Sequence, residues 1–322
     1  MKIGSESSQV LRVHQKTWEA RGVTSVTLVH PEGESLPRWD PGAHLSLHLP
    51  GGLVREYSLC SDPDDTSRWS VAVQRAPDSR GGSRLIHEEL QIGDEILVDG
   101  PRNLFQLDEE SPRHLLVAGG IGITPIVAMT RALQAKGADW HLLYTGRSRE
   151  VMAFVSEISA LPADRVTVHV DDETGGFADV SGVVGGVGEE TVVYCCGPAA
   201  LMEIVELSVP DTSRLRLERF RAPEPPTTDE ESTDESFDVV LESSGERVHV
   251  GAETSILDAL AEAGHDVPFS CTEGICGTCE TGVVSGEIEH RDFLLSEDEK
   301  ESGDTMCICV SRCRGPELVL DL

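Results

Sequence analysis

The stretch "APEPPTTDEESTDES", residues 222–236, limits what this chain can fold into. Beyond Ala222 it holds only prolines, small polar residues and acids, so burial cannot offset the entropy lost on ordering it. It reads as an interdomain linker, and no single hydrophobic core runs through it. What lies on either side must close its own core. A chain of 322 residues has room for two or three domains of roughly 100 to 200 residues each.

Two textures precede the linker. Residues 8–100 alternate apolar and polar positions between glycine and proline breaks. There "GVTSVTLVH", "HLSLHLP", "REYSLCS", "RWSVAVQR" and "GDEILVDG" read as strands of a small antiparallel barrel. A helix-like interruption, "SRLIHEEL" at 83–90, follows "RGG". From residue 114 the texture changes. "HLLVAGG", "WHLLYTG", "RVTVHV" and "TVVYCCG" read as strands, and "TPIVAMTRALQAKG", "REVMAFVSEISAL" and "PAALMEIVEL" as the helices between them. Such alternation implies a parallel, doubly wound sheet. After the linker, "FDVVLESSGERVHV" reads as a hairpin and "SILDALAEAG" as an amphipathic helix. The expected architecture is multidomain: an antiparallel β-barrel over 1–110, an α/β doubly wound nucleotide domain over 111–222, the acidic linker at 223–236 and an α+β domain over 237–322.

The net charge of −31 is unevenly spread. Residues 1–223 carry 21 basic against 32 acidic side chains, residues 224–236 six acids and no base, and residues 237–322 five bases against 19 acids. The last quarter, at net −14, is the most acidic part. Its field repels nucleic acid and anionic membranes, so neither is an expected partner, and it either favours a basic protein surface or serves solubility alone. The N-terminal "MKIGSESSQVLRVHQ" lacks the apolar core of a secretory signal, and the longest apolar run, "LLVAGGIGITPIVAM", is broken by glycines and a proline. A cytoplasmic protein is expected.

In a reducing compartment, clustered cysteines are ligands or catalytic groups rather than disulfides. "CTEGICGTCETG", residues 271–282, spaces Cys271, Cys276 and Cys279 as C-x4-C-x2-C, with further cysteines at 307, 309 and 313. A plant-type [2Fe–2S] centre uses such a triplet with a distant fourth thiolate. Gly274 and Gly277 let the backbone curl so that its N–H groups point at the sulfurs. Structural zinc is the competing reading, but its ligands come in paired short spacings that this triplet does not show. Further upstream, in "RGGSRLIHEEL", Arg80, Gly82 and Ser83 at a helix start form an anion pocket, against the plainer reading of a capped turn.

From residue 237 the chain resembles the plant-type ferredoxin domain, which implies a β-grasp fold. "CTEGICGTC", "SGEIEHRDFLLS", "CICVSR" and "ELVLDL" are similar to the ferredoxin end of the phthalate dioxygenase reductase family. There the fourth ligand is the cysteine of a C-V-S-R stretch, which implies Cys309 and leaves Cys307 and Cys313 as bystanders. The upstream motifs resemble the ferredoxin reductase superfamily. Arg-x-Tyr-Ser in "REYSL" is similar to its flavin motif, implying Arg55 on a phosphate or the flavin's polar edge, Tyr57 packed on the flavin and Ser58 hydrogen-bonding the ring. "VAGGIGITP", 117–125, departs from G-x-G-x-x-G, because Pro125 stands where a third glycine would fall, yet it matches the superfamily's G-G-x-G-x-T-P. Gly120 and Gly122 would then admit a pyrophosphate, with Thr124 and Pro125 opening the helix.

"YCCGP" matches the superfamily's C-G-P, implying Cys196, Gly197 and Pro198 beside the nicotinamide, with Cys195 on the other face. Phe220 in "LERF" resembles the terminal aromatic that covers the flavin. Without the resemblance, Cys196 and Phe220 both read as core. Arg147, Ser148 and Arg149 in "YTGRSRE" follow the second strand, where they serve a 2′-phosphate or an adenosine without one.

The domain order resembles the phthalate dioxygenase reductase family throughout, vanillate demethylase reductases included. The resemblance implies FMN rather than FAD, NADH rather than NADPH, and a [2Fe–2S] cluster as the exit for electrons. No side-chain acid or base is required for hydride transfer. The expected partner of this monomer is an oxygenase component with a basic docking face, either a Rieske non-haem iron enzyme acting on an aromatic substrate or a haem-thiolate monooxygenase. A redox sensor is the reading from a different class, and the chain shows no DNA-binding element or output domain for it.

Overall fold

Alternation of apolar and polar residues produces six antiparallel strands in the first hundred residues. In the computed structural model, which describes residues 8–77, 79, 81–223 and 235–322, these are β1 (Gln9–Ala20), β2 (Val23–Val29), β3 (Ala43–Leu49), β4 (Leu53–Ser58), β5 (Trp69–Gln74) and β6 (Glu95–Asn103). Their order is β4-β3-β6-β1-β2-β5, and a bridge between Leu59 and Val71 joins the two outer strands into a barrel. Leu11, Val13, Leu45, Leu47, Val71 and Val98 point inward with the period of two that a half-buried strand requires. Helix α1 (Gly82–Glu88) adds Leu85 and Ile86 to this core. Lys16 Nζ donates to the carbonyls of Ile86, His87 and Leu90 at that helix's C-terminal end, where a cation is favoured.

A second sheet is wholly parallel. Its strands β7 (Arg113–Gly119), β8 (Asp139–Gly146), β9 (Val166–Val170), β10 (Thr191–Cys196) and β11 (Leu215–Glu218) lie in the order β11-β10-β7-β8-β9. The chain winds to one side of β7 and then returns to the other, so the strand order reverses between β7 and β10. In such sheets ligands bind at the carboxyl ends of the strands beside this reversal. Residues 115–118 and 192–196 are continuously buried, as expected of strands covered on both faces. Helix α2 (Ile123–Lys136) ends on Gly137 in the left-handed conformation, at φ 68°. The sheet also carries α3 (Val155–Ile158), α4 (Asp171–Thr174), α5 (Val180–Gly185) and α6 (Ala199–Ser208).

One expectation fails here. The helix expected over 149–161 is broken into a short turn at Arg149–Val151 and the four-residue α3. Two tertiary demands interrupt it: the buried Tyr144 hydroxyl donates to the Ala153 carbonyl at 3.0 Å, and Met152 packs against Gly146.

Both sheets belong to one compact unit, Met1–Arg219, and a second unit comprises Phe220–Leu322. The second is a β-grasp. Strands β12 (Phe237–Leu241), β13 (Arg247–Val250), β14 (Glu280–Ser285), β16 (Thr305–Cys307) and β18 (Glu317–Leu320) form a mixed sheet in the order β13-β12-β18-β14-β16. The short strands β15 (Ile288–Glu289) and β17 (Arg312–Cys313) pair separately. Ser255 caps helix α7 (Ile256–Glu262) by accepting from the Asp258 amide, and Ile256, Leu257 and Leu260 are buried in the unit's core. Helix α8 (Glu297–Ser302) opens with a capping box between Ser296 and Glu299. Residues 224–234 of the expected linker, and Arg80, lie outside the described residues.

Candidate functional site

The turn after β7 is built by close packing at one glycine and by open space at another. A Cβ on Gly122 would lie 2.2 Å from the Cys196 carbonyl oxygen, so only glycine lets the turn close against the end of β10. Gly120 has φ +54° and nothing within 4 Å of a Cβ position, which leaves its backbone approachable. Thr124 Oγ1 donates to the Ile121 carbonyl at 3.1 Å, and Pro125 sits buried in the first turn of α2. On the neighbouring strand Cys196 is fully buried, and Gly197 packs against Gly119. Pro198 stands at the N-cap of α6. The residues read as nicotinamide ligands, Gly120, Gly122, Thr124, Pro125, Cys196, Gly197 and Pro198, therefore gather at the reversal of the sheet.

Cys196 and Cys195 face opposite sides of the sheet, in two different cores. Burial pushes the Cys195 thiol up to about 12 and the Cys196 thiol well above its usual range, so both stay protonated.

The flavin-motif residues lie along β4. Tyr57 is half-buried, and loss of solvent pushes its phenol up to about 12. Arg55 donates to the Val54 carbonyl at 2.7 Å, and a Cβ on Gly82 would lie 2.6 Å from Arg55 Cγ, so the arginine stem covers that glycine and ties the two halves of the motif together. Ser83 does not present a free hydroxyl to an anion. It accepts from the Ala76 amide at 3.2 Å and donates to Ser79 Oγ at 3.0 Å, which makes it a loop fastener. Ser58 Oγ donates to Glu218 Oε2 at 3.1 Å, and Cys196 Sγ lies 3.9 Å from the same oxygen.

Glu218 was not legible as a functional residue. It ends β11 within "LERF", 160 positions from Ser58, and nothing local marks it. Burial of its carboxyl group, opposed by the Ser58 hydrogen bond and reinforced by Glu56, pushes its pKa up to about 8. A neutral acid thus joins the end of the flavin-motif strand to the end of β10. The residue two places on, Phe220, is 42% exposed and is therefore not a core residue.

After β8, Arg147 is exposed and Arg149 is engaged. Arg149 Nε and Nη2 each donate at 2.8 Å to the two carboxylate oxygens of Glu173 on α4, and the Asp172 amide donates to the Arg147 carbonyl at 3.0 Å.

In the second unit the loop before β14 makes three left-handed excursions, at Thr272 (φ 58°), Gly274 (φ 68°) and Gly277 (φ 70°). A Cβ on Gly274 would lie 2.6 Å from Val310 Cγ2 and 3.0 Å from Asp292 Cα, so the curl is packed as well as bent. The Glu273 amide donates to Cys271 Sγ at 3.3 Å, the type of contact that stabilises a ligating thiolate. Hydrogen bonds from Cys276 and then Cys309 hold Cys271 below the usual thiol range, and those from Cys307 and Cys309 do the same for Cys279. Cys271, Cys276, Cys279 and Cys309 are thereby brought together. Cys307 reaches Cys279 as well, and Cys313 instead bonds the Glu317 carbonyl. Among the described residues no three His, Cys, Asp or Glu side chains close on one point as ligands of a single ion. A [2Fe–2S] centre asks for two thiolates on each iron, and this loop fits that donor set. Arg312 holds the loop's return strand by donating to the Thr254 and Gly251 carbonyls, each at 2.9 Å.

Comparison with known proteins agrees with both halves of this description. Residues 239–314 match the family described as "2Fe-2S iron-sulfur cluster binding domain", and residues 116–207 match "Oxidoreductase NAD-binding domain". The phenoxybenzoate dioxygenase subunit beta of Ectopseudomonas oleovorans is 41% identical over 97% of this chain and 97% of its own. The solved phthalate dioxygenase reductase, described as a modular structure for electron transfer from pyridine nucleotides to [2Fe–2S], superposes with a TM-score of 0.71 at 38% identity, covering 98% of both chains. An intact type IV self-sufficient cytochrome P450 monooxygenase superposes with a TM-score of 0.89 at 39% identity. There the match takes in 98% of this chain but 41% of the longer one. Among the described residues no helix is long and apolar enough to cross a membrane.

Proposed function

Because the chain belongs to the phthalate dioxygenase reductase family, we propose that it is the NADH-dependent reductase component of a multicomponent oxygenase, using FMN and a [2Fe–2S] cluster to supply a Rieske-type aromatic oxygenase. The observation that carries this reading is the meeting of Ser58, Cys196 and Glu218, by which the flavin-motif strand and the nucleotide-side strand share one carboxyl group. When bound, the flavin takes two electrons from NADH as hydride and releases them singly to the cluster, which carries one.

The chain's own residues bind and orient. The turn at Gly120 and Gly122 admits a pyrophosphate to the backbone, and Arg55 and Tyr57 would hold the flavin's phosphate and ring. Glu218, its carboxyl pushed up to about 8 by burial, would present a neutral acid within hydrogen-bond reach of Ser58 Oγ, where the two motif strands meet. Cys271, Cys276, Cys279 and Cys309 would hold the cluster. In this reading residues 1–110 form the flavin domain, 111–222 the nicotinamide domain, 223–236 the linker and 237–322 the ferredoxin domain of a monomer working in the cytoplasm.

A second reading of the acceptor, a haem-thiolate monooxygenase, is favoured by the likeness to the self-sufficient P450. Either acceptor would present a basic docking face. The test is Cys309→Ser with NADH in anaerobic stopped flow. Flavin bleaching is expected at the wild-type rate, while reduction of a one-electron protein acceptor is lost. Normal delivery by this variant would exclude Cys309 as the fourth ligand.

A further inference from the structure

The two arginines after β8 invite the reading that this chain accepts NADPH. In a doubly wound sheet the adenosine ribose lies over the carboxyl end of the strand next to the glycine turn, where an acid accepts from a 2′-hydroxyl or an arginine donates to a 2′-phosphate. Here that strand is β8, and Arg147 to Arg149 follow it directly. The carboxyl end of the next strand stands beside it, since Gly146 is paired with Val170, and α4 follows with Asp171, Asp172 and Glu173 in succession. The two loops are laced together by the Asp172 amide on the Arg147 carbonyl and by the two-pronged contact of Arg149 with Glu173, both bonds at 2.8 Å. The side-on edge of Arg149, Nε with Nη2, is thus matched to a carboxylate in the geometry that a phosphate would otherwise take.

We propose that Glu173 is a specificity-determining residue that occupies Arg149 and selects a nicotinamide dinucleotide with a free 2′-hydroxyl over one with a 2′-phosphate. This rests on the reductase reading above and deepens its nucleotide site. The physical argument is competition and charge. A 2′-phosphate brings nearly two negative charges to a rim that already carries three consecutive carboxylates. To reach Arg149 it must displace a carboxylate that is already bidentate. A 2′-hydroxyl carries no charge and leaves the Arg149–Glu173 pair in place. Arg147 is exposed on the same turn, beside Asp171, which lies 3.5 Å from His169 Nε2, and Asp172. Glu150 on the same turn adds nothing to the balance, because Arg21 pairs with it at 2.9 Å.

Both partners of the Arg149–Glu173 pair are half exposed, so their exchange leaves the core untouched. The experiment uses the full-length, flavin-loaded protein in two measurements. Calorimetry reads the affinities for ADP and for 2′,5′-ADP, two fragments that do not react, and stopped flow reads flavin bleaching by NADH and NADPH. The wild type is expected to favour ADP and NADH. Glu173→Gln should raise affinity for 2′,5′-ADP by roughly fivefold to tenfold, the worth of one freed charge-assisted fork, with ADP affinity changed by less than about twofold. Adding Arg149→Ala to that variant should abolish the gain. A wild type that binds 2′,5′-ADP more tightly than ADP, or a Glu173→Gln ratio equal to the wild type's, overturns the proposal. Flavin that is bleached by neither nucleotide overturns instead the reductase reading on which it stands.

Discussion

At the scale of single residues, the carboxyl group of Glu218 has the clearest measurable signature. Its pKa of about 8 in the folded chain lies above that of an ordinary glutamate, about 4.3, which it regains on unfolding. The folded state therefore holds a proton that the unfolded chain releases between these two values. The stabilisation is complete below about pH 4 and declines as pH rises to about 8, where the folded carboxyl also ionises. Glu218→Gln keeps a neutral group against Ser58 and has no proton to lose. The difference in unfolding free energy, Glu218→Gln minus wild type, should thus grow in favour of the variant from pH 5 to pH 8, as read by urea melts at several pH values. A difference that stays flat across this range would mean that the carboxyl is ionised in the folded protein. The same residue shows the limit of sequence reading. Ser58 and Cys196 were found from short local motifs, but Glu218 reaches them only because a parallel strand places it there, and no spacing in "LERF" encodes that.

At the scale of elements, the glycine turn between β7 and α2 separates two effects that the sequence presents as one pattern. Gly122 is required by packing, since a Cβ there would lie 2.2 Å from the backbone of Cys196. Gly120 is required by conformation, at φ +54°, with open space around it. Gly122→Ala should destabilise the protein by about 1–3 kcal/mol through overpacking and pry β10 from the turn. Gly120→Ala should cost about 1 kcal/mol of left-handed strain, yet raise KM for NADH well beyond what that loss explains, because its methyl group would project where the pyrophosphate approaches. Unchanged KM in Gly120→Ala would place the nucleotide elsewhere. Most elements here were legible: five of the six barrel strands (all but β1) from alternation, α2 with its glycine stop, the amphipathic α7 and the cysteine loop from its spacing. The helix expected over 149–161 was not, because its apolar periodicity is real but Met152 and the Ala153 carbonyl are claimed by Gly146 and Tyr144 from another element. The partners of Ser83 were not legible for a similar reason, its hydroxyl being engaged by Ser79 and the Ala76 amide in the preceding loop.

At the scale of the whole molecule, charge predicts how electrons leave. Residues 237–322 hold five basic side chains against 19 acidic ones, and the structure shows where those five go. Arg247 pairs with Asp238 and Glu317, Arg291 with Glu289, Lys300 with Glu297 and Arg314 with Glu287. The guanidinium of Arg312 is buried on backbone carbonyls and over the Phe237 ring, 5.1 Å from its centroid. Every cation of the cluster-bearing domain is therefore engaged inside it, and the acidic surplus is left facing solvent. Such a surface draws a basic acceptor in from beyond contact distance at low salt. At 0.1 M ionic strength the screening length falls to about 10 Å and the attraction fades. The second-order rate of acceptor reduction should fall steeply between about 20 mM and 300 mM salt, by tenfold or more for a complementary basic face. A Rieske or haem-thiolate acceptor with such a face should show the same slope, so the slope reports the docking chemistry and not the acceptor's metal. Neutralising acids on this domain should flatten it. A rate independent of ionic strength, or rising with it, would mean that the acidic surplus takes no part in docking and serves solubility alone.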